Sequence, residues 1–574
     1  MKKESIVQLG AYFVCIVIVL LSFERKRRGS KGRILDREGY ELEDLHGKEE
    51  PESSSNKEPH PELKTYSNDF RKEEVSYEPK MPLCDSVRAL LASFDVDPVR
   101  GFLPPMDPLQ RLPQPEYEPW ETLAAALPHL LVVDRARGPL EQLPVLPIAQ
   151  LSSRGERMRA LLLLSIFAHA SVWGNHCKPY STIPRGVAVP LRTLAELEGL
   201  PPVLTHASIV LNNWRRLDPS GPINALNLAC TAGFLGGQDE TWFFTLTVEI
   251  EARGGGVIAA ILQAQHAIDG VRSSRCTSEV MAAGGVVLSA LRVIQRGIRG
   301  MKQSLSKMTD RCHPFIFYER VRPFLSGWKG NPTLPDGVLY QGIDVHRREY
   351  HGGSAAQSTL FPVLDAALGV SHSHSASEGF LREMRSYMPP GHRRLVEYLY
   401  DPARPSVRRF VETYPEHAAL PSNSSQAHSP AKADDAIAAP GVHARSLTGA
   451  PCQPRIPDRR STVSGKDSKG IIKDRRDHSE QEMASALKDA YNGCLQALQE
   501  FRTTHLGIVS SYIVQQQRRA RKARGEDTRG EYAGGKGTGG TPLFEFLKPL
   551  RDSVRATLLV PKEHHSPLSS SSTP

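Results

Sequence analysis

The sequence predicts an all-α fold, and three observations carry that prediction. Apolar residues recur at helical spacing through long stretches. No strand-period alternation persists for more than a few residues, and no strand-helix-strand rhythm is present. The first long segment, SSRGERMRALLLLSIFAHASVWG from Ser152, has a serine placed to cap its opening turn. ETWFFTLTVEIEARGGGVIAAILQAQHAI from Glu240 and SEVMAAGGVVLSALRVIQRGIRGMKQSL from Ser278 read as two further helices. In a fourth, CLQALQEFRTTHLGIVSSYIV, the residues Cys494, Leu498, Phe501, His505, Ile508, Val509 and Tyr512 fall on one side.

The flanks are of a different composition. Ile6 to Phe23 is an almost charge-free run of bilayer-spanning length, preceded by Lys2 and Lys3 and followed by a basic cluster that includes Arg25 to Arg28. The positive-inside rule then leaves the rest of the chain in the cytoplasm, so the expectation is a cytoplasmic catalytic domain anchored at its N-terminus. A signal peptide fits less well, because no small-x-small cleavage site follows the run. Residues 36–80 are charged and poor in apolar side chains, a composition that reads as a disordered tether. A simpler alternative takes Met81 as the true start. Residues 421–480 are again polar and rich in Pro, Ser, Lys and Arg, and read as a disordered insertion. The segment 551–574 ends in a serine-rich tail.

The totals exclude several function classes. At 574 residues the chain suggests roughly two to four domains. Its net charge of +9 sits largely in short clusters without interleaved aromatics, so nucleic acid is not an expected partner. The eight cysteines include no CxxC pair, which supports neither a zinc ribbon nor a disulfide framework and fits a reducing compartment. Gly530 to Lys536 spells GxxxxGK, but Gly537 stands where Ser or Thr must hold magnesium, and no buried strand precedes it. Around Ser354, GGSAAQS departs from a nucleophile elbow at Ala356. His372 and His374, in SHSHSAS, read as linker rather than metal ligands. Asn423 is a glycan acceptor only in a secreted chain.

His505 stands in the middle of an apolar stripe, with Arg502 one turn before it. Two readings are open from the residues alone. One is a satisfied core histidine; the other is an axial metal ligand, since a neutral imidazole in an apolar wall suits haem iron.

A set of local strings bears on that choice: VLNNWRRLDP (210–219), FYERVRPFLSGWKGNP (317–332), HGGSAAQSTLF (351–361), MRSYMPPGHRR (384–394), RTTHLGIVSSYI (502–513) and KGTGGT (536–541). With SVWG and IPRGVAVP earlier, they resemble indoleamine 2,3-dioxygenase in order and mutual distance, over about residues 85–420 and 480–550. The resemblance implies a large helical domain holding haem b in its ferrous active form, with a smaller helical domain over the distal face. The corresponding division is 1–35 anchor, 36–80 tether, 81–200 small domain, 201–420 first part of the large domain, 421–480 insertion, 481–550 the rest of the large domain, and 551–574 tail.

By the same resemblance His505 is the proximal iron ligand, with Arg502 and Asp365 as a charged pair beside it. Arg322 takes the place of the carboxylate-binding arginine, and a guanidinium fork suits that task. Phe317, Phe243 and Phe244 match the aromatic lining of the indole pocket, and Ile209 and Val210 line it too. His206 stands where tyrosine is common. Thr247 falls where many members carry a serine facing dioxygen. KGTGGT would be a mobile loop, with Thr538 supplying a hydroxyl near the substrate. In a regular helix Phe317 and Arg322 lie roughly 140° apart, so the chain must bend or loop between them.

The implied reaction adds both atoms of O2 across the indole 2,3 bond of L-tryptophan to give N-formyl-L-kynurenine. That is the first step of tryptophan catabolism by the kynurenine pathway, which feeds NAD supply, and it needs an electron donor to keep the haem ferrous. No acid-base dyad is required, and none is evident. Ala356, the 421–480 insertion and the apolar N-terminus depart from the family pattern. The alternative on the same fold is a non-catalytic O2-binding or haem-sensing protein, which has no need of Arg322. A third reading, a membrane-tethered helical scaffold without cofactor, requires His505 to be core.

Overall fold

A computed structural model describes residues 82–559 apart from 176–177, 275, 373–374, 419–467 and 526–542. The all-α expectation holds. Seven helices position the site: α1 (Arg154–Trp173), α2 (Gln238–Gly270), α3 (Thr277–Ser306), α4 (Leu360–Ala367), α5 (Ser375–Arg385), α6 (Ser468–Val509) and α7 (Leu543–Ala556). Among the described residues, strands are limited to two short pairs. Thr182–Ile183 runs parallel to Leu339–Tyr340, and Arg215–Arg216 runs antiparallel to Leu228–Ala229.

The cap of α1 is built by the SxxE spacing of its sequence. Ser153 Oγ accepts from the Glu156 backbone N–H at 3.2 Å, while Glu156 Oε2 accepts from the Ser153 N–H at 2.8 Å. Its leucine-rich body is then buried on nearly every face. The helices predicted from Glu240 and Ser278 begin within two residues of those positions, as α2 and α3. They pack along each other, α6 lies against α3 and α7, and α4 abuts α2. Close approach at α2 depends on Gly255: a Cβ there would lie 2.0 Å from the Val99 carbonyl oxygen. By length and composition one described helical run, Thr277–Arg311, could cross a membrane. Its α3 portion packs against α2 and α6.

One boundary is corrected. α6 begins at Ser468, inside the segment read as a disordered insertion to residue 480. The composition of 468–480 is polar but contains no helix breaker after Gly470, so it continues the helix backwards from the buried apolar stripe. The rest of that insertion, the apolar run 6–23, Thr538 and the KGTGGT loop lie outside the described residues.

Three π-helical turns interrupt the helical ladder, at Ala207–Leu211, Phe317–Val321 and Ser510–Val514. In the second, the Arg322 backbone N–H donates to the Phe317 carbonyl, five residues back. Pro323 comes next in the chain; its missing N–H deprives the Glu319 carbonyl of an α-helical donor, where the ladder shifts register. In the first turn the Asn212 side chain reaches the Ala207 carbonyl at 2.9 Å, again five residues back.

Candidate functional site

The three π-turns border one cavity of about 880 Å³, at the large end of the range for small-molecule sites. The second turn accounts for the bend required between Phe317 and Arg322. With i→i+5 bonding, residues five apart come nearly over one another, so both side chains reach the same cavity. His206, Ile209, Val210, Phe243, Phe244, Thr247, Asp365, Arg502 and His505 line it as well. Every nominated site residue within the described part of the chain therefore meets in one place.

An aromatic wall runs through the cavity. The Phe243 ring centroid lies 5.4 Å from Phe244 and 4.6 Å from Phe317, and Phe317 lies 5.8 Å from Tyr512. Tyr512 is tied down by its hydroxyl, which donates to the Cys312 carbonyl. The Arg322 guanidinium stands 5.5 Å from the centre of the Tyr318 ring. Burial lowers its pKa below the usual arginine range, although a cation at this position remains charged. A desolvated guanidinium facing a cavity favours an anionic occupant. Thr247 reaches the cavity too, but its hydroxyl donates to the Phe243 carbonyl at 2.8 Å, one helical turn back.

Buried His169 and half-buried His505 show two fates open to a histidine inside the fold. The His169 Nδ1 meets the Phe324 carbonyl at 2.7 Å and its Nε2 accepts from the Leu204 N–H at 3.2 Å, so both nitrogens are used. That is a satisfied core histidine. The His505 ring lines the cavity and has no hydrogen-bond partner among the described residues. Burial, helped by the Arg502 charge, pushes its pKa down to about 4 and keeps the imidazole neutral near pH 7. A neutral imidazole with a free ring nitrogen can ligate a metal.

The charged pair expected from the sequence is present. Arg502 Nη2 lies 2.6 and 2.7 Å from the two carboxylate oxygens of Asp365, and Arg502 Nη1 donates to the Leu550 carbonyl at 2.5 Å. His372, read from the sequence as plain linker, is a third member: its Nε2 lies 2.9 Å from Asp365 Oδ2. Burial opposes ionisation of Asp365, but the Arg502 charge and the His372 bond outweigh it and hold the carboxyl below its ordinary range.

A second buried cluster was not anticipated. Glu251 Oε1 lies 2.9 Å from His206 Nε2 and accepts from Ser358 Oγ at 2.6 Å. Gln357 fixes the His206 backbone N–H at 2.9 Å. Glu251 sits one turn beyond Thr247 on α2, so an acid at i+4 on a cavity-facing stripe was the available signal.

The chain matches the family model for indoleamine 2,3-dioxygenase over residues 90–429 and 466–557. It is 31% identical over 476 residues to Indoleamine 2,3-dioxygenase 2 of Mus musculus, covering 82% of this chain and 96% of that protein. Against Indoleamine 2,3-dioxygenase 1 of Rattus norvegicus the identity is 30% over 483 residues, with the same two coverages, 82% and 96%. The fungal Indoleamine 2,3-dioxygenase nanC of Aspergillus nanangensis is 36% identical over 317 residues, 53% of this chain and 74% of that protein. The matched ranges contain every cavity residue named above, and the stretch between them falls inside the 421–480 insertion. On the breadth of that match and the residues gathered within it, the chain belongs to the indoleamine 2,3-dioxygenase family of oxidoreductases.

Proposed function

We propose that the chain is a haem-dependent dioxygenase that adds both atoms of O2 across the indole 2,3 bond of L-tryptophan, giving N-formyl-L-kynurenine. The observation that carries this reading is the meeting in one cavity of a free imidazole, a desolvated guanidinium and a wall of phenyl rings: His505, Arg322, and Phe243 with Phe317.

The residues fit a haem. Among the described residues no group of three or more His, Cys, Asp or Glu side chains could hold a metal ion. His505 is the cavity imidazole with neither ring nitrogen bonded among the described residues, and one such ligand suits a metal whose other positions arrive already filled. The cavity walls around His505 include Phe361, Phe501, Ile508 and Leu550, as an apolar macrocycle requires. When bound, haem supplies the iron centre for O2 chemistry.

The chain's own side chains then bind, orient and exclude water. His505 holds the iron, and the Arg502–Asp365 pair anchors the turn that precedes it. Arg322 takes the substrate carboxylate through its planar fork. Phe243 and Phe317, tilted at 40°, form the surface against which an indole ring packs. Thr247 keeps its hydroxyl proton on the Phe243 carbonyl and offers only lone pairs to the cavity. A contribution from Thr538, and an electron donor that keeps the haem ferrous, belong to the same reading.

The test uses the full chain, loaded with haem, reduced and given L-tryptophan in air, with N-formylkynurenine followed by absorbance and mass. Catalytic accumulation of product supports the reading. A stable oxy complex with untouched tryptophan would instead make this an O2-binding protein on the same fold. Attachment to a membrane through residues 6–23 is a separate matter, tested by alkaline extraction of the full chain from membranes.

A further inference from the structure

Besides His505, the cavity is lined by His372, which pairs with Asp365, and by His206, which the proposed reaction does not use and whose orientation the structure fixes. His206 is 5% exposed and its partner Glu251 is 2% exposed. Ser358 Oγ accepts from the Leu360 N–H at 3.3 Å, so its own proton is free to go to Glu251 Oε1 at 2.6 Å. Glu251 Oε1 therefore acts as an acceptor, and the His206 Nε2 that meets it at 2.9 Å carries the ring proton. In the neutral ring that leaves Nδ1 as a lone-pair acceptor, and it has no hydrogen-bond partner among the described residues. The backbone is pinned as well: Gln357 Oε1 accepts the His206 N–H at 2.9 Å, and Gln357 Nε2 donates to the Gly352 carbonyl at 2.9 Å. An imidazole held on both ring and backbone cannot turn aside when a ligand enters.

His206 shares the cavity with Phe243, Phe244, Ile209 and Val210, all apolar. A fixed acceptor in such a wall discriminates strongly, because an occupant that cannot donate leaves a desolvated lone pair behind. We propose that His206 is a specificity-determining residue that accepts a hydrogen bond from a donor carried on the aromatic ring of the substrate, with Glu251 as the residue that sets its tautomer. This inference rests on the tryptophan-type substrate proposed above. The donor has two sources, the ring N–H or a ring hydroxyl, and the experiment separates them.

The haem-loaded full chain and its His206→Phe and His206→Asn variants are compared with L-tryptophan, 1-methyl-L-tryptophan and 5-hydroxy-L-tryptophan. Both kcat/KM and the calorimetric Kd are measured. If the ring N–H is the donor, the wild-type chain disfavours the 1-methyl compound by about tenfold. If a ring hydroxyl is the donor, it favours the 5-hydroxy compound by about tenfold. In either case His206→Phe brings the altered ratio close to one, while His206→Asn, which keeps an acceptor, retains part of it. Ratios that are equal in the wild-type chain, or unchanged in His206→Phe, overturn the proposal. Should His206→Phe fail to fold, His206→Leu is read in its place by the same criterion. Binding without turnover would remove the dioxygenase reading while the Kd ratios still judge His206; absence of binding by all three ligands overturns both.

Discussion

Arg502 engages both carboxylate oxygens of Asp365 across 137 residues of sequence, and it does so one helical turn before His505. The pair is largely enclosed, with 11% and 6% of the two side chains exposed. Removing one member strands the other in a poorly solvated place. Asp365→Asn should therefore cost about 3 kcal/mol of stability, measured by urea unfolding at neutral pH. A loss below about 0.5 kcal/mol would mean the pair is solvated after all.

The same pair gives a pH dependence with a definite sign. The folded carboxyl titrates below its ordinary value, so the unfolded chain binds the proton first as pH falls. The stabilisation is complete above the unfolded aspartate value of about 3.9 and is lost as pH drops through the lower folded value. The wild-type chain should lose more stability between about pH 5 and 3 than Asp365→Asn, and parallel pH curves would contradict the assignment.

His505 and Arg322 divide the site's tasks. His505→Ala should abolish haem retention, read as the ratio of haem to protein after gel filtration. Arg322→Ala should keep haem and lose about a hundredfold or more in kcat/KM for L-tryptophan, the usual scale for truncating one partner of an enclosed charge pair. Equal haem loss in both variants contradicts the division.

Thr247 provides a contrast. Since its hydroxyl proton is committed to the Phe243 carbonyl, Thr247→Val should change kcat/KM by less than about threefold. A drop comparable with that of Arg322→Ala would show that the hydroxyl leaves its helix to act on the substrate.

In α2, adjacent glycines should respond in opposite ways. Gly255→Ala drives a methyl group to within 2.0 Å of the Val99 carbonyl and should lower Tm by several degrees. Gly256→Ala meets open space and should raise stability by up to about 1 kcal/mol through helix propensity alone.

Much of this architecture is legible in the chain because its long helices repeat their apolar residues over many turns. The stripe from Cys494 to Tyr512 predicts His505 on an apolar face, and the family resemblance points to Asp365 beside it and to Arg322 at the carboxylate-binding position. Each feature that escaped has a physical reason. His372 lies outside any helix, so no periodicity ties it to Asp365. Glu251 is one of two nearby acids on α2; the other, Glu249, pairs with Arg253 and Ser304, and only the fold tells them apart. Residues 468–480 have a composition that suits a solvated tail or a solvated helix equally, and packing further along α6 decides for the helix.

The π-turns make this cavity sensitive to counting rather than to chemistry. Each is in effect one residue more than an α-helix would use. If Phe317–Val321 closed in α-register with all its residues kept, Phe317 and Arg322 would lie roughly 140° apart, as in a regular helix. Arg322 would then face elsewhere while every side chain of the site remained encoded. Removing one residue there would instead leave the two at a four-residue spacing, about 40° apart on an α-helix, so the length of this turn and the register of its hydrogen bonds together decide where Arg322 points.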